Sequence, residues 1–303
     1  MKVLVTGAAG QLGHDVVCEL LAQHIEAVGT DIVPDAPCQQ AAYFPMDITD
    51  PAVVSKALSE IQADAVIHCA AWTAVDAAED PQNRAKVFAI NEQGTKHIAQ
   101  ACKDTNTKMM YISTDYVFNG QGDTPWQPDC QNYEPLNIYG KSKLGGEKAV
   151  RSLLDNFFIV RIAWVFGLHG NNFIKTMLKV AQTHDTLRVV NDQIGTPTYT
   201  KDLAKLLVQM IQTEQYGHYH ATNEGGYISW YDFACEIFRQ AQLPVTVIPV
   251  STQEYGLSKA KRPFNSRLDK TKLIQNGFTP LPTWQDALKR YLQEIQYGTN
   301  HRS

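Results

Sequence analysis

The order of apolar and polar positions divides the chain into short apolar runs separated by segments of helical period. Lys2 to Thr6 is apolar in its middle and reads as a strand. A glycine-rich turn follows, and then Val16, Val17, Leu20 and Leu21 recur at the spacing of one helix face. The alternation continues with a strand at Ala27 to Thr30, a helix through Val53, Val54, Ala57, Leu58 and Ile61, and a strand at Ala65 to His68. A longer helix is expected over about Asn83 to Cys102 and a strand over Lys108 to Ser113. A loop rich in Pro, Gly and Asp, a helix around Tyr139 and a strand over Phe157 to Ile162 complete this pattern. Apolar strands alternating with helices belong in a parallel sheet covered on both faces. The expected fold class is α/β, a doubly wound parallel sheet.

After about Trp164 the rhythm loosens, and polar loops at Gly167 to Asn172, Asn191 to Thr198 and Ser251 to Ser266 interrupt the elements. The expected division is a dinucleotide-binding domain over 1–163 and a smaller α/β region over 164–303 that faces mainly the substrate. No linker separates the two, so some later elements are expected to pack back on the first domain.

Composition narrows the partners. With 44% hydrophobic residues in a chain of 303, there is material for one large core or two modest ones. The 27 basic and 31 acidic residues are dispersed and leave a net charge of -4, which supplies no field for nucleic acid or an anionic membrane. The start, Met1-Lys2-Val3-Leu4-Val5, has no basic and apolar leader, and no run approaches the roughly 18 apolar residues of a membrane span. A cytoplasmic location is expected. Cys18, Cys38, Cys69, Cys102, Cys130 and Cys235 form no Cys-x-x-Cys pair and read as reduced, mostly buried residues. No His-Glu-x-x-His or Gly-x-Ser-x-Gly occurs, and Gly140-Lys141-Ser142 fails as a phosphate loop because Pro135 stands where that motif needs glycine. No metal site is expected.

Chemistry gathers at two places. Gly7-Ala-Ala-Gly10-Gln11-Leu12-Gly13 lies between the first strand and the first helix, where glycines permit a tight turn and let backbone N–H groups approach a pyrophosphate. Asp31 ends the second strand, where a carboxylate can bond an adenosine ribose hydroxyl, a position that favours NADH over NADPH without deciding between them. Asp47-Ile48 and Ala71-Trp72-Thr73 follow later strands at the edge where open α/β sheets bind ligands.

The second place is Tyr139-Gly-Lys-Ser-Lys143, which puts a phenol and an ammonium on one helix face. Tyr255-Gly-Leu-Ser-Lys259 repeats the spacing. Context separates them: Ser113-Thr114-Asp115 ends the strand before Tyr139, whereas Tyr255 follows a strand at Val245 to Pro249 and Lys259 is expected on a solvated face.

These motifs, with Cys69-Ala70-Ala71 and Asn91-x-x-Gly94, resemble the extended short-chain dehydrogenase/reductases, whose fold is Rossmann-like. Within them, Thr114-Asp115-Tyr116-Val117-Phe118, Trp164-Val165, Gly170-Asn171-Asn172-Phe173, Asp192-Gln193-x-Gly195-x-Pro197-Thr198 and Arg262-Pro263-x-Asn265-Ser266-x-Leu268 are similar to the dTDP-4-dehydrorhamnose reductase subfamily. The resemblance implies a catalytic set of Thr114, Tyr139 and Lys143 and a cofactor, NADPH or NADH, held by Gly7, Gly10, Gln11, Leu12, Gly13, Asp31, Asp47, Ile48, Ala71, Trp72, Thr73, Tyr139 and Lys143. It implies a dTDP-4-keto-6-deoxy sugar as substrate, with Thr114, Asp115, Trp164 and Arg262 around it. Arg262 read alone could equally cap a helix or pair with an acid. The implied reaction is reduction of dTDP-4-dehydro-β-L-rhamnose to dTDP-β-L-rhamnose. A sugar-nucleotide 4-epimerase and a non-catalytic subunit resembling the β subunit of methionine adenosyltransferase are the alternatives. Ile112 stands just before Ser113 where some relatives carry Tyr. Asp15 is one counterpart of an acidic cluster that binds magnesium between subunits in some of them, so a monomer and a homodimer are both open.

Overall fold

The computed structural model describes residues 1–35, 38 and 41–300, with side chains to 295. Six strands, β1 (Lys2–Thr6), β2 (Glu26–Asp31), β3 (Ala42–Pro45), β4 (Ala65–His68), β5 (Lys108–Thr114) and β6 (Phe157–Ile162), join a seventh at Gly217–His220. The sheet order is Gly217–His220, β6, β5, β4, β1, β2, β3, and every pairing is parallel. β1 lies between β2 and β4, so the chain winds outward in both directions from it, and the crevice beyond the strand ends opens at this reversal.

The inner strands β1, β4, β5 and β6 are buried on both sides, which is why they read as continuous apolar runs. On one face, the helix Gln11–Ala22 and the helix Thr200–Ile211 cover Val3, Val5, Met110, Phe158 and Val160. On the other, helices Pro51–Ile61, Thr95–Asp104 and Ile138–Leu153 pack Val54, Leu58, Ile98, Cys102 and Val150 against Leu4, Val66, Met109 and Ile159. A third core surrounds Phe166, Phe233, Trp284 and Tyr291 in the smaller α/β unit, where the parallel strands Thr186–Val190 and Thr246–Val250 pair beneath the helix Trp230–Ala241.

Three expectations change. The helix expected over Asn83 to Cys102 runs from Pro81 to Asp104 and is interrupted at Ala89–Gly94 by a wider, π-helical turn. Ala42–Pro45 and Gly217–His220 are sheet strands that the apolar pattern does not mark, because each is short and carries polar or aromatic residues at a sheet edge. The cysteines are free, yet Cys102 is the one buried by exposure; Cys18 is exposed and the others are intermediate. As expected, Tyr255 and Lys259 are no working pair: the helix Thr252–Tyr255 ends in a left-handed Gly256, and Lys259 is exposed and reaches Asp80 at 3.0 Å.

Candidate active site

The turn between β1 and the helix Gln11–Ala22 is built on glycine for steric reasons. Gly7 has φ +70°, and a Cβ there would lie 2.6 Å from the Ala70 nitrogen. A Cβ on Gly13 would sit 2.1 Å from the Gly7 carbonyl oxygen. Gly10 caps the helix with no side chain bonding back, so the first N–H groups face outward, as a pyrophosphate requires. The donor set and the close backbone approach fit a dinucleotide. Gly13→Ala is expected to abolish measurable NADPH binding in a fluorescence titration while the protein still folds; retained affinity would show that this turn does not hold the pyrophosphate.

Around the turn, Asp31 accepts bonds from the Ala9 and Ile32 N–H groups at 3.0 and 2.7 Å, which aims its carboxylate at the loop. Gln11 donates to the Asn171 carbonyl and accepts from Asn172, so it ties the cofactor turn to the loop that opens the smaller unit. Leu12 is buried in the core beneath. Asp47 is engaged locally, accepting from the N–H and hydroxyl of Thr49, and Ile48 is buried with its carbonyl bonded to His97. Beyond β4, Ala71-Trp72-Thr73 is held by Asn91, which the π-helical turn turns inward: its side chain accepts from the Trp72 N–H at 2.8 Å and donates to the Trp72 carbonyl and to Ser142. The side chain of Asn91 thereby joins the cofactor-side loop to the helix that bears Tyr139.

That helix, Ile138–Leu153, starts at Asn137, whose side chain accepts from the Gly140 N–H at 2.8 Å. Tyr139 projects toward the end of β5, where it meets Tyr116 edge to face at 5.5 Å. Burial raises the phenol well above its ordinary value, and its contact with the Thr114 hydroxyl partly offsets this. Thr114 itself donates to Asp115 at 3.0 Å and accepts from the Tyr116 N–H. Lys143 is buried. Its ammonium donates to the Ile112 carbonyl at 2.8 Å and lies 4.1 Å from the centre of the Tyr111 ring. Desolvation lowers it to about 7, against the pull of Glu147. Phenol and ammonium thus approach the crevice from one helix face, with the ammonium drawn toward β5.

Behind them, Glu147 receives two bonds from Arg161, each 2.8 Å, and one from Ser113 at 2.6 Å. All these groups are buried, and Arg161 also donates to the Pro128 carbonyl and the Tyr133 hydroxyl. In front lies a cleft of about 360 Å³ lined by Thr73, Asp76, Trp164, Asn172, Trp230 and Arg262, among others. Trp164 has φ +50°, unusual for a bulky residue, and stacks on Trp230 with centroids 3.7 Å apart. Arg262 reaches across to Asp76 and to the Tyr116 hydroxyl. A phenol beside a strand-end hydroxyl, a buried ammonium and an arginine across an aromatic cleft can protonate an oxyanion and hold an anionic ligand.

The family described as "RmlD substrate binding domain" matches residues 1–297. The chain belongs to this family. It is 39% identical over 293 residues to the spore coat polysaccharide biosynthesis protein SpsK of Bacillus subtilis, covering 97% of each chain. It is 38% identical over 303 residues to the dTDP-4-dehydrorhamnose reductase of Aggregatibacter actinomycetemcomitans, covering 95% of this chain and 97% of that one. The crystal structure of dTDP-4-dehydrorhamnose reductase from Bacillus anthracis in complex with NADP matches with a TM-score of 0.88 at 40% identity, over 97% of this chain and all of the other.

In this RmlD-family chain Thr73, Trp164 and Arg262 line the cleft, while Thr114, Asp115 and Tyr139 gather at the end of β5 and connect to it through Tyr116, which meets the Tyr139 ring and accepts from Arg262. The cleft also holds Asp76 and Trp230, which the sequence does not single out, and Phe173, which closes the Gly170 to Phe173 motif without a role assigned to it. Trp230 opens a helix behind a Ser229 capping box, and nothing local marks its ring as part of a cleft. Among the described residues no group of three His, Cys, Asp or Glu could hold a metal, and no helix is long and apolar enough to cross a membrane.

Asp115 is the strained member. Burial raises its carboxyl to about 6, against bonds from Ser266 and Thr114, and its Oδ2 has no partner among the described residues. A carboxyl raised on folding binds more protons in the folded state between about pH 4 and 6. Stability therefore falls as pH rises through that window, and the deficit persists above it. Asp115→Asn is expected to exceed the parent in stability at pH 8 by an amount on the order of 2 kcal/mol, with the gap closing toward pH 4. Urea denaturation at the two pH values checks this.

Proposed function

We propose that this protein is an NAD(P)H-dependent oxidoreductase that reduces the 4-keto group of dTDP-4-dehydro-β-L-rhamnose to give dTDP-β-L-rhamnose. The observation that carries this reading is that Tyr139 and Lys143 share one helix, with Thr114 beside Tyr139 at the end of β5, and that Tyr116 joins this group to Arg262 of the cleft that Trp164 also lines. Full-length likeness to a curated dTDP-4-dehydrorhamnose reductase supports it.

The residues would hold the cofactor through the Gly7 to Gly13 turn, Asp31, and the Ala71 to Thr73 loop, with Lys143 at the nicotinamide ribose. When bound, the reduced cofactor supplies a hydride to the carbonyl carbon. As negative charge grows on the carbonyl oxygen, the Tyr139 hydroxyl gives up its proton to it, and ketone, hydride and proton sum to the alcohol. Thr114 turns its hydrogen bond from Asp115 to the same oxygen. Lys143, when protonated, lowers the cost of the tyrosinate left behind. Asp115 and Trp164 line the sugar, and Arg262 meets the diphosphate, whose oxygens match the guanidinium fork.

The test is to follow cofactor absorbance on adding the dTDP-4-keto sugar, with NADPH and NADH in parallel. Consumption of cofactor and formation of dTDP-rhamnose are expected. Absence of turnover with both cofactors would overturn the assignment.

A further inference from the structure

An acid stands in the cleft where the proposed ligand carries its charge. Asp76 lies on the short helix Val75–Ala78, just beyond the Ala71 to Thr73 loop, and lines the same cleft as Arg262. One carboxylate oxygen accepts from the Arg262 guanidinium at 2.5 Å, and the other accepts from the Ala260 N–H at 3.0 Å. The remaining partners of Arg262 are the hydroxyls of Tyr116 and Ser258, both at 3.3 Å. The guanidinium is therefore held mainly by one charged partner, and it keeps 27% of its side chain exposed.

Carboxylate and phosphate compete for the same guanidinium fork. An anion arriving at Arg262 must take it from Asp76, and Asp76 cannot simply withdraw, because the Ala260 N–H anchors its second oxygen. Two like charges would then share one cation, a juxtaposition that opposes binding. We propose that Asp76 is a built-in competitor at Arg262: it neutralises the guanidinium in the free protein and, while staying anchored, gives up its bond to the guanidinium only to a ligand with the charge of a nucleoside diphosphate. Asp76 sets specificity in this way, weakening all anions and leaving the weakly charged ones excluded. The inference rests on the reading of Arg262 as the diphosphate site.

The experiment is calorimetric titration of dTDP and of thymidine into wild type and Asp76→Asn. Asparagine keeps an oxygen for the Ala260 N–H and removes the charge. The variant is expected to bind dTDP about five- to tenfold more tightly, with thymidine binding unchanged. Equal or weaker dTDP binding by the variant, or a parallel shift for thymidine, would overturn the role of Asp76 while leaving the diphosphate site in place. Failure of wild type to bind dTDP would instead overturn the diphosphate reading and this inference with it. Asp76→Ser repeats the charge removal should the first variant not fold.

Discussion

Replacing Tyr139 by Phe is expected to lower kcat on the dTDP-4-keto sugar by roughly 10²- to 10⁴-fold, the range for loss of a positioned general acid. The substitution is conservative in shape. Phenylalanine keeps the edge-to-face contact with Tyr116 and the packing at the end of β5, so the change removes one hydroxyl and little else. The raised phenol makes the neutral form dominant at neutral pH, which suits a proton donor. Tyr255→Phe serves as the control, since Tyr255 ends a surface helix, is not among the residues lining the crevice and should leave the rate unaltered. Steady-state kinetics on both variants decides the matter. A Tyr139→Phe enzyme with full rate would remove the phenol from the mechanism.

The second large effect is on stability. Arg161→Met is expected to destabilise the protein by about 3–5 kcal/mol, because Glu147 is left charged in a dry core. Burial pushes the Glu147 carboxyl up, and Arg161 more than offsets that, holding it below its ordinary value. Without the guanidinium, only the Ser113 hydroxyl among its side-chain donors remains. The double variant Glu147→Leu with Arg161→Met should recover much of the loss, since removing both charges avoids the unpaired one. Urea denaturation of the three proteins provides the comparison. A single variant within about 1 kcal/mol of wild type would mean that the pair is not desolvated as described. The pair also has a functional bearing. Ser113 precedes Thr114, so the bond from Ser113 to Glu147 fixes the strand end that presents the hydroxyl proposed to act on the substrate.

Much of this arrangement could be read from local pattern. β1, β2, β4, β5 and β6 are short apolar runs with turns at their ends, and the glycine turn announces itself by three glycines, two of which, Gly7 and Gly13, could not be replaced without collision with backbone. Tyr139 could be told from Tyr255 by position alone, because strand ends in such sheets converge. What stayed hidden depends on distance along the chain. Asp76 and Arg262 are 186 residues apart and meet only through the fold. Trp230 likewise reaches Trp164 only because the smaller unit folds over the sheet edge. The π-helical turn was invisible for a different reason: its residues suit an ordinary helix, and the widening reflects what Asn91 must reach rather than any local preference. Asp47 holds its own turn through one carboxylate oxygen, a contact that its strand-end position does not foretell. The direction of Lys143 toward Ile112 also lies beyond what a four-residue spacing can convey.

The placement of the strand Gly217–His220 against β6 has a consequence for how the chain is made. β6 and its neighbours are synthesised early, but the strand that covers the β6 edge and the helix Thr200–Ile211 that covers Met110, Phe158 and Val160 leave the ribosome much later. Between those moments the nascent chain carries an unpaired parallel edge and an uncovered apolar face, both of which favour misassociation. Until the seventh strand of the sheet arrives, the first half of this chain therefore carries exposed surface of the kind that chaperones cover.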